Sequence, residues 1–235
     1  MKAKFIYLIV FVLFLINSKR VLAQIAISES SVALQFNDGR IATIATDMNN
    51  SKIDGTPYLT DEWSKGVVNL ADGRTYKDVT LKYDLLKDVL YFQNDKKQVL
   101  TFVKPVSEFV INYIGDDQEQ VKHYKSGFAN IQGYTAQNFF EVLVEGKAQL
   151  LKKQHKFIES ESGAGLGPTT QKYSSTDMYY IVMDGKASAI KRDKKSVLQF
   201  LGDKQNELSA YIKSNDLDMK KDADLAKVII YYNSI

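Results

Sequence analysis

The sequence predicts an α+β fold: an antiparallel β-meander, as an open sheet or a partial barrel, followed by two or three C-terminal helices. Three patterns predict it. Apolar residues alternate with polar ones through the middle of the chain, turn-forming pairs separate the apolar runs, and the apolar period changes near residue 193. A period of two marks a strand buried on one face, and a period near 3.6 marks an amphipathic helix. Strands first and helices last are typical of α+β domains.

The clearest strand runs from Val79 to Leu85, where the apolar side chains of Val79, Leu81, Tyr83 and Leu85 share one face. Such alternation indicates that one face is buried. Six other segments are rich in the branched and aromatic residues that suit a pleated surface. These predicted strands are residues 90–92, 99–103, 109–113, 139–144, 148–157 and 179–183.

Tight turns are predicted between neighbouring runs, because glycine tolerates the positive φ that a hairpin turn requires. The predicted turns are Asp38-Gly39, Asp72-Gly73, Asn94-Asp95, Glu145-Gly146 and Asp184-Gly185. Hairpins join antiparallel neighbours, so a meander is favoured over a parallel sheet. The stretch from Glu159 to Thr176 is rich in Gly, Ser and Thr, and we predict a surface loop there.

The C-terminal part predicts helices. Residues 197–201 form a short apolar stripe, Asp203 is placed to cap a second helix, and Asp222 is placed to cap a third. In the third, Leu225, Val228, Ile229 and Tyr232 recur at helical spacing. We therefore divide the chain into residues 1–23, a β-rich domain of residues 24–190, and a helical tail of residues 191–235 that packs on it.

Residues 1–23 predict a cleavable secretion signal. Two lysines precede an apolar run over residues 5–16, which is shorter than the roughly 20 residues that span a bilayer. Branched Val21 at position −3 and small Ala23 at position −1 then favour cleavage between Ala23 and Gln24. An uncleaved anchor stays open as the alternative, because basic residues follow the apolar run. We expect an exported protein of the periplasm or cell surface of a Gram-negative bacterium.

Composition excludes several classes of function. The chain has no cysteine, so disulfides, zinc–thiolate sites and an N-terminal lipid anchor are excluded. Four of the 31 basic residues lie in the signal, which leaves 27 against 28 acidic residues and a net charge of −1. We therefore predict no nucleic-acid binding, which requires a concentrated basic surface. Pairs such as Lys152-Lys153 are predicted to be solvated edges.

No catalytic residue, metal site or cofactor is predicted. The glycines at 163, 165 and 167 lack the Gly-Lys-Ser/Thr ending of a phosphate loop. His123 and His155 are predicted on lysine-flanked, exposed strands without a metal ligand at suitable spacing. Carboxylates are abundant, but a glycosidase mechanism depends on their spatial separation, which sequence does not provide.

Tyr58 and Trp63 are the candidate ligand-binding residues. They lie in a Gly- and Pro-containing segment, residues 55–66, that holds the single tryptophan of the chain. Such aromatic side chains bind sugars or hydrophobic ligands. The alternative reading is that they cover the end of a β-core.

The same segment carries a resemblance. The shared residues are Gly55, Pro57, Tyr58, Leu59, Trp63, Gly66, Val68, Asp72, Gly73, Tyr76, Val79, Leu81, Lys82, Tyr83 and Asp84, and near the end Tyr232 and Asn233. In these residues the chain resembles a group of uncharacterised secreted proteins from Bacteroidetes. The resemblance covers most of the mature chain and implies an envelope location, but it assigns no activity.

Together these observations predict an exported, non-catalytic envelope protein that binds a macromolecular partner or an apolar ligand through its β-surface, with no membrane insertion of the mature chain. The alternative is a carboxylate-dependent hydrolase acting on envelope glycans or peptides. That alternative predicts two carboxylates that converge in a cleft, one of them with a raised pKa. A third possibility is a structural component of a surface complex.

Overall fold

A computed structural model describes residues 42–44, 53–115, 117–161 and 170–235. The strands are β1 (Ala42–Ile44), β2 (Ser64–Leu70), β3 (Thr75–Asp84), β4 (Val89–Gln93), β5 (Val99–Phe102), β6 (Val106–Gly115), β7 (Gln118–Lys125), β8 (Phe140–Val144), β9 (Ala148–Glu161), β10 (Thr170–Met183) and β11 (Lys186–Ile190). The helices are α1 (Lys194–Phe200), α2 (Gln205–Ser214) and α3 (Asp222–Ser234), with a 3₁₀ turn at Gly202–Lys204. The predicted signal, its cleavage point at Ala23 and Gln24, and the Asp38-Gly39 turn lie outside the described residues.

The strands form one sheet in the order β1-β5-β4-β3-β2-β6-β7-β8-β9-β10-β11. All strand pairs are antiparallel. The prediction of an antiparallel sheet followed by C-terminal helices is confirmed. The connectivity is a meander on each side of β2, because β6 returns to pair with β2 instead of β5. In the described part of the chain the sheet is open, with β1 and β11 at its edges.

The half of the sheet from β2 to β7 is strongly curled. Four strand spacings separate β5 from β6, which is about 19 Å in a flat sheet. The chain covers this distance in four peptide steps from Phe102 to Val106, which reach only about 14 Å. The strands therefore bend around a common interior. That interior is aromatic: Tyr83, Phe109 and Tyr124 are buried there with ring centroids 4.7 to 5.2 Å apart.

Strand β3 confirms the alternation. Val79, Leu81, Tyr83 and Leu85 are all buried and belong to the core inside the curl. The Asp184-Gly185 turn is confirmed as well. Both of its residues have positive φ, +50° and +73°, and the turn joins β10 to β11 as a two-residue hairpin.

The predicted loop from Glu159 to Thr176 is wrong for residues 159–161 and 170–176, and its residues 162–169 lie outside the described residues. β9 runs to Glu161 and β10 starts at Thr170, and the two strands pair along their whole lengths. The reason is that backbone pairing does not need apolar side chains. Polar partners across the strands suffice: Lys172 forms an ion pair with Glu161, and Ser174 Oγ donates to Glu159 at 2.6 Å.

Beyond Lys152 and Tyr179, β9 and β10 leave their neighbours β8 and β11. We call this outer part, residues 153–161 and 170–178, the β9–β10 arm. Backbone groups of β10 that point away from β9 bind the segment that precedes β2. Asp54 N donates to Gln171 O and Asp54 O accepts from Tyr173 N, both at 2.9 Å. The arm therefore extends past the sheet but is tied to the segment that precedes β2, through Asp54, which binds β10, and through Lys156 of β9.

The helices cover one face of β8–β11. The predicted stripe of α3 is confirmed, since Leu225, Val228, Ile229 and Tyr232 are all buried against the sheet and the other helices. The predicted caps at Asp203 and Asp222 are wrong. Asp203 lies within the 3₁₀ turn and does not cap α2. Asp222 is the first residue of α3, and its carboxylate binds side chains from elsewhere in the fold.

Candidate functional site

The structure brings Tyr58 and Trp63 together around a third side chain, Lys82 of β3. The Lys82 ammonium lies 4.6 Å from the ring centroid of Tyr58 and 5.5 Å from that of Trp63. It also donates to the carbonyl oxygen of Asp61 at 2.5 Å. Ammonium groups within about 6 Å of an aromatic centroid are attracted by the ring quadrupole. We call the three residues that surround Lys82, namely Tyr58, Asp61 and Trp63, the aromatic bracket.

The segment that carries the bracket, residues 53–63, crosses from the arm to the curled core. Asp54 bridges to Lys172 in the arm, and Tyr58 bridges to Asp84 at the end of β3. Lys156 of β9 also binds this segment. Its ammonium donates to Thr56 O at 2.8 Å and to Tyr58 O at 2.6 Å. Burial lowers the pKa of Lys156 despite nearby carboxylates. Long-range contacts therefore hold this segment in place.

A second cluster lies where the arm meets the core. Asp88 accepts from Tyr83 Oη at 2.5 Å, from Asn138 Nδ2 at 2.7 Å and from Lys153 Nζ at 2.7 Å. Lys153 also donates to Phe139 O at 2.8 Å. Burial lowers the pKa of Lys153, with the Asp88 carboxylate opposing that effect, and burial raises the pKa of Tyr83 well above its usual range. The cluster is a satisfied polar junction between two apolar cores.

A third cluster joins the sheet to α3. Lys152 Nζ lies 2.9 Å from both Asp177 and Asp222, and Tyr179 Oη donates to Asp222 at 2.6 Å. Burial acts to lower the pKa of Lys152, but its bonds to Asp222 and Asp177 outweigh burial and raise it. Burial and the bond to Asp222 raise the pKa of Tyr179 to about 12. Asp222 thus anchors the start of α3 on the sheet.

The hydrolase alternative requires two converging carboxylates, one of them with a raised pKa. Asp177 and Asp222 converge, but on a shared lysine, and the pKa of Asp222 is lowered by bonds from Tyr179 and Lys152 despite burial. Burial raises the pKa of Asp84, but this side chain is enclosed and accepts the backbone N–H groups of Leu86 and Lys87 at 2.9 Å. Neither Asp84 nor the Asp177–Asp222 pair therefore matches the arrangement that the hydrolase alternative predicts.

His123 is not isolated on an exposed strand. Its Nε2 contacts Glu108 on the neighbouring strand β6, and both side chains are less than one-fifth exposed. The bond to His123 lowers the pKa of Glu108, with Lys125 acting in the same direction. Glu108 also accepts from Asn69 at 3.2 Å. Across the part of the chain that the structure describes, no three His, Asp or Glu side chains converge as metal ligands.

Sequence reasoning missed the lysines. The pair Lys152-Lys153 was expected at a solvated edge, but both residues are buried. A signal did exist, because they continue the apolar run of Leu150 and Leu151 within a predicted strand. A lysine inside such a run indicates a buried partner of opposite charge. Which carboxylate supplies it depends on tertiary contacts.

The fold and its clusters define an α+β protein whose ionic groups mainly join elements of its own structure. No protein-family model, curated protein or solved structure matches the chain. Among the described helices, none is long and apolar enough to cross a bilayer.

Proposed function

We propose that this chain is an exported, non-catalytic binding protein of the Gram-negative envelope, and that it engages a protein partner along the β9–β10 arm. The predicted secretion signal and the resemblance to secreted proteins support the location. The observation that carries the proposed activity is the outer edge of β9 in the arm, which presents backbone groups and apolar side chains together.

The backbone geometry identifies this edge. Lys156 N donates to Leu85 O at 3.1 Å, so the even-numbered residues of β9 in the arm direct their N–H and C=O groups away from β10. In the described part of the chain, the outward groups of Ile158 and Ser160 have no backbone partner. On β10 the corresponding edge is occupied by Asp54. An unpaired strand edge is a template for another strand.

The side chains beside this edge favour a protein partner. Phe157 is 39% exposed and Ile158 is 42% exposed, and they lie on opposite faces of β9 because they are consecutive in a strand. A strand added to β9 gains main-chain hydrogen bonds from the edge and apolar contacts on both faces. This combination is the basis of peptide recognition by strand addition.

The test is site-specific photocrosslinking in cells that export the protein. A benzophenone amino acid is placed at Ile158, and a matched probe is placed at the exposed Lys65 of β2. We expect a crosslinked product of defined mass from the probe at position 158 and none of that mass from position 65.

The backbone requirement is tested in the same experiment. Ser160→Pro removes an outward N–H group without removing a bond of the β9–β10 ladder, and Ser160→Ala is its control. We expect the product to be lost with Ser160→Pro and kept with Ser160→Ala. A product that forms equally in both variants, or from position 65 alone, contradicts strand addition at this edge.

A further inference from the structure

Lys82 occupies the aromatic bracket, and its ammonium indicates the chemistry of the ligand that the bracket selects. Lys82 reaches the bracket from β3, and its ammonium is placed against two aromatic rings and one carbonyl oxygen. An apolar ligand would gain nothing from the carbonyl oxygen, and a neutral donor such as a hydroxyl group would gain less than a cation from the negative faces of the rings. A cation gains from both.

The charged side chains around the bracket also favour a cation within it. Burial lowers the pKa of Lys82, whereas Asp61 and Glu62 oppose that effect by favouring the charged ammonium. Asp61 and Glu62 are exposed, and both carboxylates are close enough to act on the charge of Lys82. The rings and the carboxylates therefore come from one short segment, residues 58–63, and all of them favour a positive group.

We propose that Tyr58, Trp63 and the Asp61 carbonyl form a binding site for a primary ammonium group, which Lys82 occupies from within the chain. An alkylammonium ion, or the lysine side chain of another polypeptide, fits the site in place of Lys82. This assignment replaces the apolar or sugar ligand that two aromatic residues suggest by themselves. It does not depend on the activity proposed for the arm, which is more distant in sequence and uses backbone groups.

The test empties the site and supplies the ammonium from solution. In the purified Lys82→Ala protein, n-propylammonium restores the atoms that the substitution removes. We expect a saturable change in the fluorescence of Trp63, the only tryptophan of the chain, and a rise in the midpoint of thermal unfolding. Half-saturation is expected on the order of 10 mM, because a single cation–π site is weak.

Matched ligands separate charge from size. At the same concentration, 1-propanol is expected to have no saturable effect, because it lacks the charge. N-acetyl-lysinamide presents the ammonium on a peptide unit. Its binding with a lower half-saturation than n-propylammonium would assign the site to a polypeptide lysine, and the reverse order would assign it to a small amine.

Matched variants keep the proposal falsifiable. Lys82→Met fills the site with an apolar chain and is expected to show no response to n-propylammonium. Because the readout includes recovery of thermal stability, a Lys82→Ala protein that folds poorly still reports on binding. Equal responses to n-propylammonium and 1-propanol in Lys82→Ala, or no response to either, would overturn the proposal.

Discussion

The side-chain amide of Asn233 in α3 binds both backbone groups of Ala148, the first residue of β9. Asn233 Oδ1 accepts from Ala148 N at 2.8 Å, and Nδ2 donates to Ala148 O at 2.9 Å. The amide thus acts as a neighbouring peptide unit at the start of a strand. It also lies close to Gly146, where an added Cβ would stand 2.5 Å from Asn233 Nδ2. One side chain therefore joins the last helix to the β8–β9 turn.

Asn233→Ala is expected to lower the free energy of unfolding by about 2 kcal/mol, because it leaves two backbone groups of Ala148 without partners. Asn233→Asp is expected to be at least as destabilising, since a carboxylate cannot donate to Ala148 O. Urea denaturation measures both effects. The adjacent exposed Ser234→Ala serves as the control and is expected to change stability by less than about 0.5 kcal/mol. Equal effects of all three substitutions would contradict the role assigned to the amide.

Lys153→Met is expected to lower the free energy of unfolding by about 3 kcal/mol. The Lys153 side chain is only 4% exposed, and its removal leaves the Asp88 carboxylate without its cation in the interior. Adding Asp88→Asn should recover at least about 1 kcal/mol relative to Lys153→Met, because the unpaired charge is then also gone. The exposed Lys186→Met is the control in the same denaturation series. A double variant whose loss equals the sum of the two single losses would show that the pair is not coupled.

Stability is expected to fall as the pH rises from 10 to 12. Burial, followed by the nearby Asp84 charge, raises the pKa of Tyr58 to about 12, and burial with the bond to Asp222 raises the pKa of Tyr179 to about 12, whereas the ordinary pKa of tyrosine is 10.0. Above pH 10 the unfolded chain therefore loses protons that the folded chain retains, which favours unfolding. Lysines with lowered pKa, such as Lys153, act in the opposite sense, but only below their ordinary value of 10.5.

Ultraviolet absorbance of tyrosinate, measured against pH with and without denaturant, checks this expectation. In Tyr179→Phe, one of the groups that titrates near pH 12 in the native protein should be absent, and the loss of stability above pH 10 should be smaller. A native titration that coincides with that of the denatured chain would refute the argument.

Shortening the arm is expected to leave the rest of the protein folded. Joining Phe157 to Ser174 by Asn-Gly deletes residues 158–173, and these two residues face each other across β9 and β10. The deleted residues belong to none of the three buried apolar clusters. The main loss is the pair of bonds to Asp54, so we expect a decrease of about 1 to 2 kcal/mol in the free energy of unfolding.

Circular dichroism and urea denaturation measure the outcome for the shortened protein. An equal-length replacement of residues 162–169 by Gly and Ser, which keeps the paired part of the arm, is the control. Loss of cooperative unfolding in the shortened protein alone would show that the arm is part of the core, and would remove it as a separate binding element.

The parts of the fold that were predicted from sequence are those with a local period. In β3 and the residue that follows it, the alternation from Val79 to Leu85 places four side chains on one face wherever the strand lies in the sheet. In α3 the helical spacing from Leu225 to Tyr232 likewise places the apolar side chains on one face of the helix. The arm was missed because its polar strands pair through the backbone, and pairing of this kind leaves no apolar period in the sequence.

The amino-acid sequence by itself determined the α+β class, the order of strands before helices, and the presence of two aromatic residues in one short segment. Only the tertiary structure decided what those residues contact. Lys82 enters the bracket from β3, Asp88 meets Lys153 across 65 positions, and Asn233 reaches Ala148 across 85. Periodicity follows from the geometry of one element, whereas such pairs depend on how separate elements pack, so no local pattern specifies them.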